Sequence, residues 1–366
     1  MSSLSIGIVG LPNVGKSTLF NALTDNEVLA ANYPFATIEP NTGIVPIPDE
    51  RLQRLAKLYD TQKIVPATVT FVDIAGLVAG ASQGEGLGNQ FLAHIRGANA
   101  IVHVVRAFDD PNVQHVDAKH DPKKDIEVIN TELALADLQT VERHLPRLEK
   151  EAKANPKLKP QLEALSWARQ LLDQAKVLYP EADDLSPGGW ELLYKELGLI
   201  TMKPAIYLFN VDEGTLQDEK KKQTLANFTP MKHALFISAK LENELRSLDE
   251  NDRQELLESY GQGESGLIQL IHAAYGALGL QSYLTAGEKE VRAWTIPRGS
   301  TAPKAAGAIH GDFERGFIAA EIVSYPDLLA AGSLAGARAA GKVRTEGKTY
   351  VMQPDDVVEF RFNVSK

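Results

Sequence analysis

The sequence predicts an α/β protein whose first domain is a mostly parallel sheet, interrupted by a long helical insertion and followed by a small, separate α+β domain. Three observations predict it. Short apolar, β-rich runs at residues 4–9, 69–72 and 100–105 alternate with helical stretches, as strands buried on both faces of a parallel sheet do. Two later runs, 205–209 and 234–237, look the same, but 99 residues separate Val105 from Ala205, whereas a βαβ unit needs only about 30 or more. After Ser282 the pattern changes again.

The insertion is helical by composition. Leu133, Leu135, Leu138, Val141, Leu145 and Leu148 recur at steps that are mostly three or four residues, and the pattern breaks at residues 155–160, where Asn155, Pro156 and Pro160 fall. We expect a helical hairpin, a coiled-coil-like arm projecting from the sheet; helices packed flat on the core would show the same periodicity. Beyond Ser282, residues 291–296 and 317–323 read as strands flanking a possible helix at 303–313. The expected division is therefore 1–126 with 204–280 for the first domain, 127–203 for the insertion and 281–366 for the last domain.

Composition narrows the class. Of 366 residues, 44% are apolar and 23% charged, ordinary values for a globular chain of two or three domains. Apolar runs such as 100–105 fall far short of the roughly 20 residues a membrane-spanning helix needs, and residues 1–10 lack a charged signal-peptide start. With no cysteine in the chain, disulfides, thiolate metal sites and thiol nucleophiles are excluded, so the expected location is the cytoplasm. A net charge of −10 argues against non-specific nucleic-acid binding by the whole surface. The charge is uneven: residues 281–366 carry 11 Lys/Arg against 10 Asp/Glu, leaving 27 against 38 before them.

Gly10-Leu11-Pro12-Asn13-Val14-Gly15-Lys16-Ser17 matches G-x-x-x-x-G-K-[ST] and lies between a strand and a helix. Glycines let backbone N–H groups wrap phosphates, and the following helix adds its positive end. Lys16 can reach the β- and γ-phosphates and Ser17 can ligate Mg²⁺; Asn13, Val14, Gly15 and Thr18 complete the contact set. Asp73-Ile74-Ala75-Gly76 follows the strand at 69–72, which suits Asp73 to holding Mg²⁺ through water and Gly76 to offering its N–H to the γ-phosphate.

Two strand ends carry the expected base contacts: Asn210-Val211-Asp212-Glu213, and Ser238-Ala239-Lys240. A guanine-specific site uses N-K-x-D, whose Asp accepts hydrogen bonds from guanine N1–H and N2–H₂ while the Lys packs along the base. Val211 and Glu213 replace that Lys and Asp. A longer side chain places its carboxylate elsewhere and adenine offers no such donors, so preference for guanine should be lost; Asn210 could contact the adenine amino group.

Together with Thr18-Leu19-Phe20-Asn21-Ala22-Leu23, Asn32-Tyr33-Pro34-Phe35 and Gly84-Glu85-Gly86-Leu87-Gly88-Asn89-Gln90-Phe91, these motifs resemble the YchF subfamily of Obg-like ATPases over essentially the whole chain. Asn130 to Leu138 looks like the start of that family's helical arm. Arg292 to Pro297 and Gly311 to Phe317 look like its C-terminal TGS domain, a ubiquitin-like β-grasp. The resemblance implies a P-loop GTPase-like domain that prefers ATP, binds GTP more weakly, and associates as a monomer with a ribosome or ribosomal subunit, with rRNA as one contact. It also implies Thr37 as a third Mg²⁺ ligand on a mobile loop. Many GTPases orient the attacking water with a glutamine after D-x-x-G; Leu77 stands here and cannot hydrogen-bond, so intrinsic turnover should be slow. The resemblance points to His115 as the substitute, and to Asn13 as a site for K⁺. Glycines 80, 84, 86 and 88 predict a flexible second switch. A conventional GTPase, or a nucleotide-regulated binding module without significant catalysis, remains the alternative.

Overall fold

The computed structural model describes residues 4–24, 41–74, 87–108, 121–179, 185–230 and 234–363. Along the chain run β1 (Ser5–Val9), α1 (Lys16–Thr24), β2 (Thr42–Pro46), α2 (Glu50–Tyr59), β3 (Ile64–Val65), β4 (Thr68–Asp73), α3 (Leu87–Gly97) and β5 (Ala100–Ala107). Then come α4 (Pro122–Ala154), α5 (Lys159–Leu172), α6 (Pro187–Trp190), β6 (Ala205–Val211), α7 (Glu213–Gln217), α8 (Glu219–Ala226) and β7 (Ala234–Ile237). The C-terminal elements are α9 (Ala239–Arg246), α10 (Glu250–Ser259), α11 (Gly266–Ala277), β8 (Leu280–Ala286), β9 (Val291–Pro297) and α12 (Ala302–Ile309). They end with α13 (Gly311–Arg315), β10 (Phe317–Ser324), α14 (Tyr325–Ala331), α15 (Leu334–Ala339), β11 (Arg344–Glu346) and β12 (Asp356–Phe362).

The first sheet has the order β2-β4-β1-β5-β6-β7, and β1–β4, β1–β5, β5–β6 and β6–β7 all pair parallel. Its middle strand β5 is buried at every one of its eight positions, which is why the run of apolar residues there shows no alternation. The five strands read from short apolar runs are all present, within two residues of their expected ends.

The insertion starts with α4, 33 residues long, where Asp121 accepts from the N–H groups of Lys123 and Lys124 and Pro122 fits the first turn. Asn155 ends it, and its side chain then caps the short turn Pro156–Leu158 that leads into α5. Ala134, Val141 and Leu145 of α4 pack with Ala164, Leu165, Ala168 and Leu172 of α5, a hydrophobic core of its own. The root is polar: Asp137, fully buried, accepts from the N–H of Ile200 (2.9 Å), the N–H of Thr201 (2.7 Å) and the Thr201 hydroxyl (2.7 Å). Two residues on, Lys203 donates to the carbonyls of Ile95, Arg96 and Ala98 at the end of α3, a favourable place for a cation.

The second sheet has the order β11-β10-β12-β8-β9-β3. The hairpin β8–β9 is antiparallel, β12 lies parallel to β8 at the centre, and β10 pairs antiparallel with β12 and β11. With α12 crossing after the hairpin, this is the β-grasp layout. Tyr283, Ala305, Ala306, Phe317, Ile322 and Val358 fill its core.

By its contacts the chain divides into two compact units, and one boundary differs from the sequence reading. Residues Ile44–Val69, placed in the first domain at the sequence level, belong with Leu278 and the residues after it; Thr70–Ala277 form the bulk of the first unit. The reason is physical. The short β3 adds to the β-grasp sheet, Ile64 and Val65 pairing parallel with Val291 and Arg292. Helix α2 buries Leu52, Leu55 and Ala56, and Arg51 binds Asp355 (2.9 Å) and the Pro354 carbonyl (2.8 Å). Apolar periodicity marks α2 as amphipathic but says nothing about which core receives it.

Candidate nucleotide site

The loop from Gly10 to Ser17 joins β1 to α1, with Lys16 opening the helix. Two of its backbone positions have positive φ, Asn13 (62°) and Gly15 (99°). Gly15 has a further reason to lack a side chain: a Cβ there would stand 2.6 Å from Asn210 Nδ2. Gly10 is pressed equally hard, since its Cβ would meet the Val104 carbonyl at 2.6 Å.

Lys16 Nζ donates to the carbonyls of Gly10 (2.9 Å) and Leu11 (2.8 Å). Its burial lowers the pKa of the ammonium, and the nearby Asp73 charge opposes that shift. Asp73 ends β4, next to the loop. Ser17 Oγ donates to its Oδ2 at 3.5 Å, while Oδ1 is buried with no hydrogen-bond partner among the described residues. Burial raises the Asp73 pKa, against the pull of Lys16 and Ser17. A buried, unpartnered carboxylate oxygen beside a serine hydroxyl fits a hard cation with oxygen ligands, as Mg²⁺ is. Among the described residues no group of three or more His, Cys, Asp or Glu is placed to hold a metal, so phosphate and water oxygens would complete such a shell.

Two of the expected base-recognition residues are held by contacts within the protein. Asn210 is buried, its Nδ2 donating to the Val14 carbonyl (3.2 Å) and its Oδ1 accepting from Ala239 N–H (3.3 Å). Its amide therefore ties the phosphate loop to the second base motif. Val211 is buried in the core with Val105, Tyr207 and Phe209, because strand alternation turns residues 207, 209 and 211 to one face.

Glu213 and Lys240 meet in an ion pair of 2.9 Å. The hydrogen bond from Lys240 holds the Glu213 carboxyl below its usual range, and Glu213 raises the Lys240 ammonium in return. Asp212, between the motif's ends, caps α7 by accepting from the Thr215 N–H and hydroxyl, both at 2.8 Å. Ser238 caps α9, accepting from Leu241 N–H at 3.3 Å. Thr18 and Ala239 line one small cavity with Gly15 and Asn210. The remaining expected residues, Thr37, Gly76 and His115, lie outside the described residues, as do Gly80, Gly84 and Gly86. Sequence reasoning missed Glu242, which lines the same cavity; an acidic residue one helical turn after a cap carries no signal by itself.

Residues 5–140 match a family profile described as a 50S ribosome-binding GTPase, and residues 280–363 match YchF-GTPase_C, described as a protein of unknown function. The chain is 51% identical to the ribosome-binding ATPase YchF of Bacillus subtilis (strain 168), covering 99% of this chain and 100% of that one. The chain belongs to the YchF family. Its YchF relative in Escherichia coli O157:H7 is 49% identical over 98% of this chain and 99% of its own length, and the Obg-like ATPase 1 of Pongo abelii is 42% identical over 99% and 93%. The solved structure of the Schizosaccharomyces pombe YchF GTPase superposes with a TM-score of 0.84, at 40% identity and 98% coverage of both chains. The motif resemblance and the fold class read from sequence, a GTPase-like P-loop domain with a second, mixed sheet, are thus borne out for this YchF chain.

Proposed function

We propose that this chain is a Mg²⁺-dependent P-loop ATPase that hydrolyses ATP slowly to ADP and phosphate and couples that cycle to binding a ribosome or ribosomal subunit. The observation that carries it is the Lys16, Ser17 and Asp73 cluster at the phosphate loop, in a chain alike over its full length to proteins named ribosome-binding ATPases. Ser17 and Asp73, with Thr37, would hold Mg²⁺, which would supply charge neutralisation at the phosphate oxygens. Lys16 exchanges its two loop carbonyls for phosphate oxygens and offsets their charge. Gly76 offers its N–H to the γ-phosphate, His115 orients the attacking water, and K⁺ at Asn13 adds positive charge in the transition state.

Base preference follows from the Glu213–Lys240 pair. A carboxylate held by an ammonium is poorly placed to accept from guanine N1–H and N2–H₂, so ATP binds more tightly than GTP. Contacts from the backbone of Asn210, Val211, Ser238 and Ala239 frame the base. The helical arm and the β-grasp domain are the surfaces that meet the ribosome, with rRNA as one target, and the protein works as a cytoplasmic monomer. Among the described residues no helix is long and apolar enough to cross a membrane.

Calorimetric titration with non-hydrolysable ATP and GTP analogues in Mg²⁺ and K⁺ buffer tests this reading. Clearly tighter ATP binding, and turnover accelerated by added ribosomes, are expected. Tighter GTP binding makes the chain a conventional GTPase and overturns the base argument.

A further inference from the structure

Helix α9 begins at the second base motif, and one turn into it stands a buried carboxylate with no part in the reaction above. Glu242 is almost fully buried, and its own N–H donates to the Ser238 carbonyl at 2.9 Å. Its side chain turns away from α9 to the start of α11. There Oε1 accepts from Gly266 N–H at 2.7 Å, and the carboxylate also takes the Leu267 N–H and the Ser265 hydroxyl. The 12-residue α11 presents its positive end to that charge.

The fit is tight on every side. A Cβ on Gly266 would lie 3.0 Å from Ile237 Cγ1 and 3.2 Å from Glu242 Oε1, so a side chain at residue 266 would press on the carboxylate and on Ile237. The cavity beside it measures ≈ 10 Å³ and is walled by Gly15, Thr18, Asn210, Ala239, Glu242 and Leu267, with room for at most one water. Among the described residues, Glu242 is the only titratable one that lines it. From this wall the contacts run without a gap: α11 to Glu242, Glu242 through one helical turn to Ser238 and Ala239, Ala239 to Asn210, and Asn210 to Val14 of the phosphate loop.

We propose that Glu242 is the positioning residue for base recognition, anchoring the Ser238-Ala239-Lys240 loop to α11 so that its backbone and the Lys240–Glu213 pair stand at a fixed distance from the phosphate loop. The proposal rests on the reading that this loop frames the base. Burial that pushes the Glu242 carboxyl up to about 7 accords with it: an ionisable group kept in so dry a place, at that energetic cost, is held by its three donors and holds them in turn.

The test separates base binding from phosphate binding. Affinities of Mg·ATP, Mg·GTP and Mg·tripolyphosphate are measured by calorimetry for the wild type, Glu242→Ala, Glu242→Gln, Gly266→Ala and Glu213→Ala. Glu242→Ala is expected to weaken ATP by about tenfold or more and leave tripolyphosphate within about twofold; Glu242→Gln, whose amide oxygen still accepts from Gly266, recovers most of the loss. Gly266→Ala displaces the carboxylate without removing it and gives the same selective loss, which keeps the test alive should Glu242→Ala fail to fold. Parallel losses of ATP and tripolyphosphate, or an unchanged ATP affinity, overturn the proposal. Glu213→Ala reports on the underlying reading: its ATP-to-GTP ratio should shift, and an unshifted ratio sinks the base-site assignment itself whatever Glu242 does.

Discussion

Single residues in this chain are decided by what surrounds them, and Gly15 shows it most directly. Alanine there would need a φ of 99° and a Cβ 2.6 Å from Asn210, so Gly15→Ala should cost about 1–3 kcal/mol of stability and weaken ATP by about tenfold or more. Thermal unfolding and calorimetry check the two parts separately. Two buried titratable groups make a subtler prediction. His103 is wholly buried, its ring tilted against that of Tyr207 at 5.0 Å, with Nε2 unpartnered among the described residues, and burial drives its imidazole from 6.5 to about 3. The unfolded chain binds that proton below 6.5 and the folded one does not, so this histidine's contribution to stability is present above 6.5 and drains away as pH falls toward 3. Glu242 has the opposite sign. Its folded pKa of about 7 exceeds the ordinary 4.5, so the contribution is full below 4.5 and is lost as pH rises through 7. Between pH 5 and 6.5 the two slopes oppose each other, each about 1.4 kcal/mol per pH unit. Denaturant unfolding should therefore show Glu242→Gln losing stability on acidification in that window and His103→Leu gaining it. Equal slopes in both variants would contradict the assignment.

At the scale of elements, legibility followed the physics of burial. Strands β1, β4, β5, β6 and β7 announce themselves because a parallel strand covered on both faces must be apolar throughout. Strands β2, β3, β8, β11 and β12 do not; Ile64–Val65 is only two residues long, and in Leu280–Ala286 the polar Gln281, Ser282 and Thr285 break the apolar run. The phosphate loop was fully readable, since Gly10, Gly15, Lys16 and Ser17 act locally. The two hydrogen bonds of the Asn210 amide were not readable, because they depend on where Val14 and Ala239 arrive in space. The root of the helical insertion was equally invisible: nothing in its leucine periodicity marks Asp137 as the group that ties α4 to residues 200 and 201. Asp137→Ala leaves two backbone N–H groups and a hydroxyl buried without an acceptor, and should cost about 3 kcal/mol or more. Urea titration measures it, and a loss under about 1 kcal/mol would mean that water replaces the carboxylate freely.

For the whole molecule, the assignment of Ile44–Val69 to the second unit makes the last domain something other than an appendage. A chain ended at residue 277 keeps the P-loop but leaves Leu52, Leu55 and Ala56 of α2 and the edge of β3 without the sheet that receives them. Such a truncation is expected to expose apolar surface, bind a hydrophobic dye and unfold over a broader range than the intact chain; a sharp, unshifted transition would show that α2 finds cover without the β-grasp sheet.

The ion pair between Arg51 and Asp355 closes over 304 residues of sequence. On a translating ribosome adding about 5–20 residues per second, Arg51 is made roughly 15–60 seconds before its partner Asp355 exists. Throughout that interval the nascent chain carries an amphipathic helix with no core to enter, a ready handle for a chaperone. Synthesis of this protein thus includes a waiting period, its length set by the elongation rate.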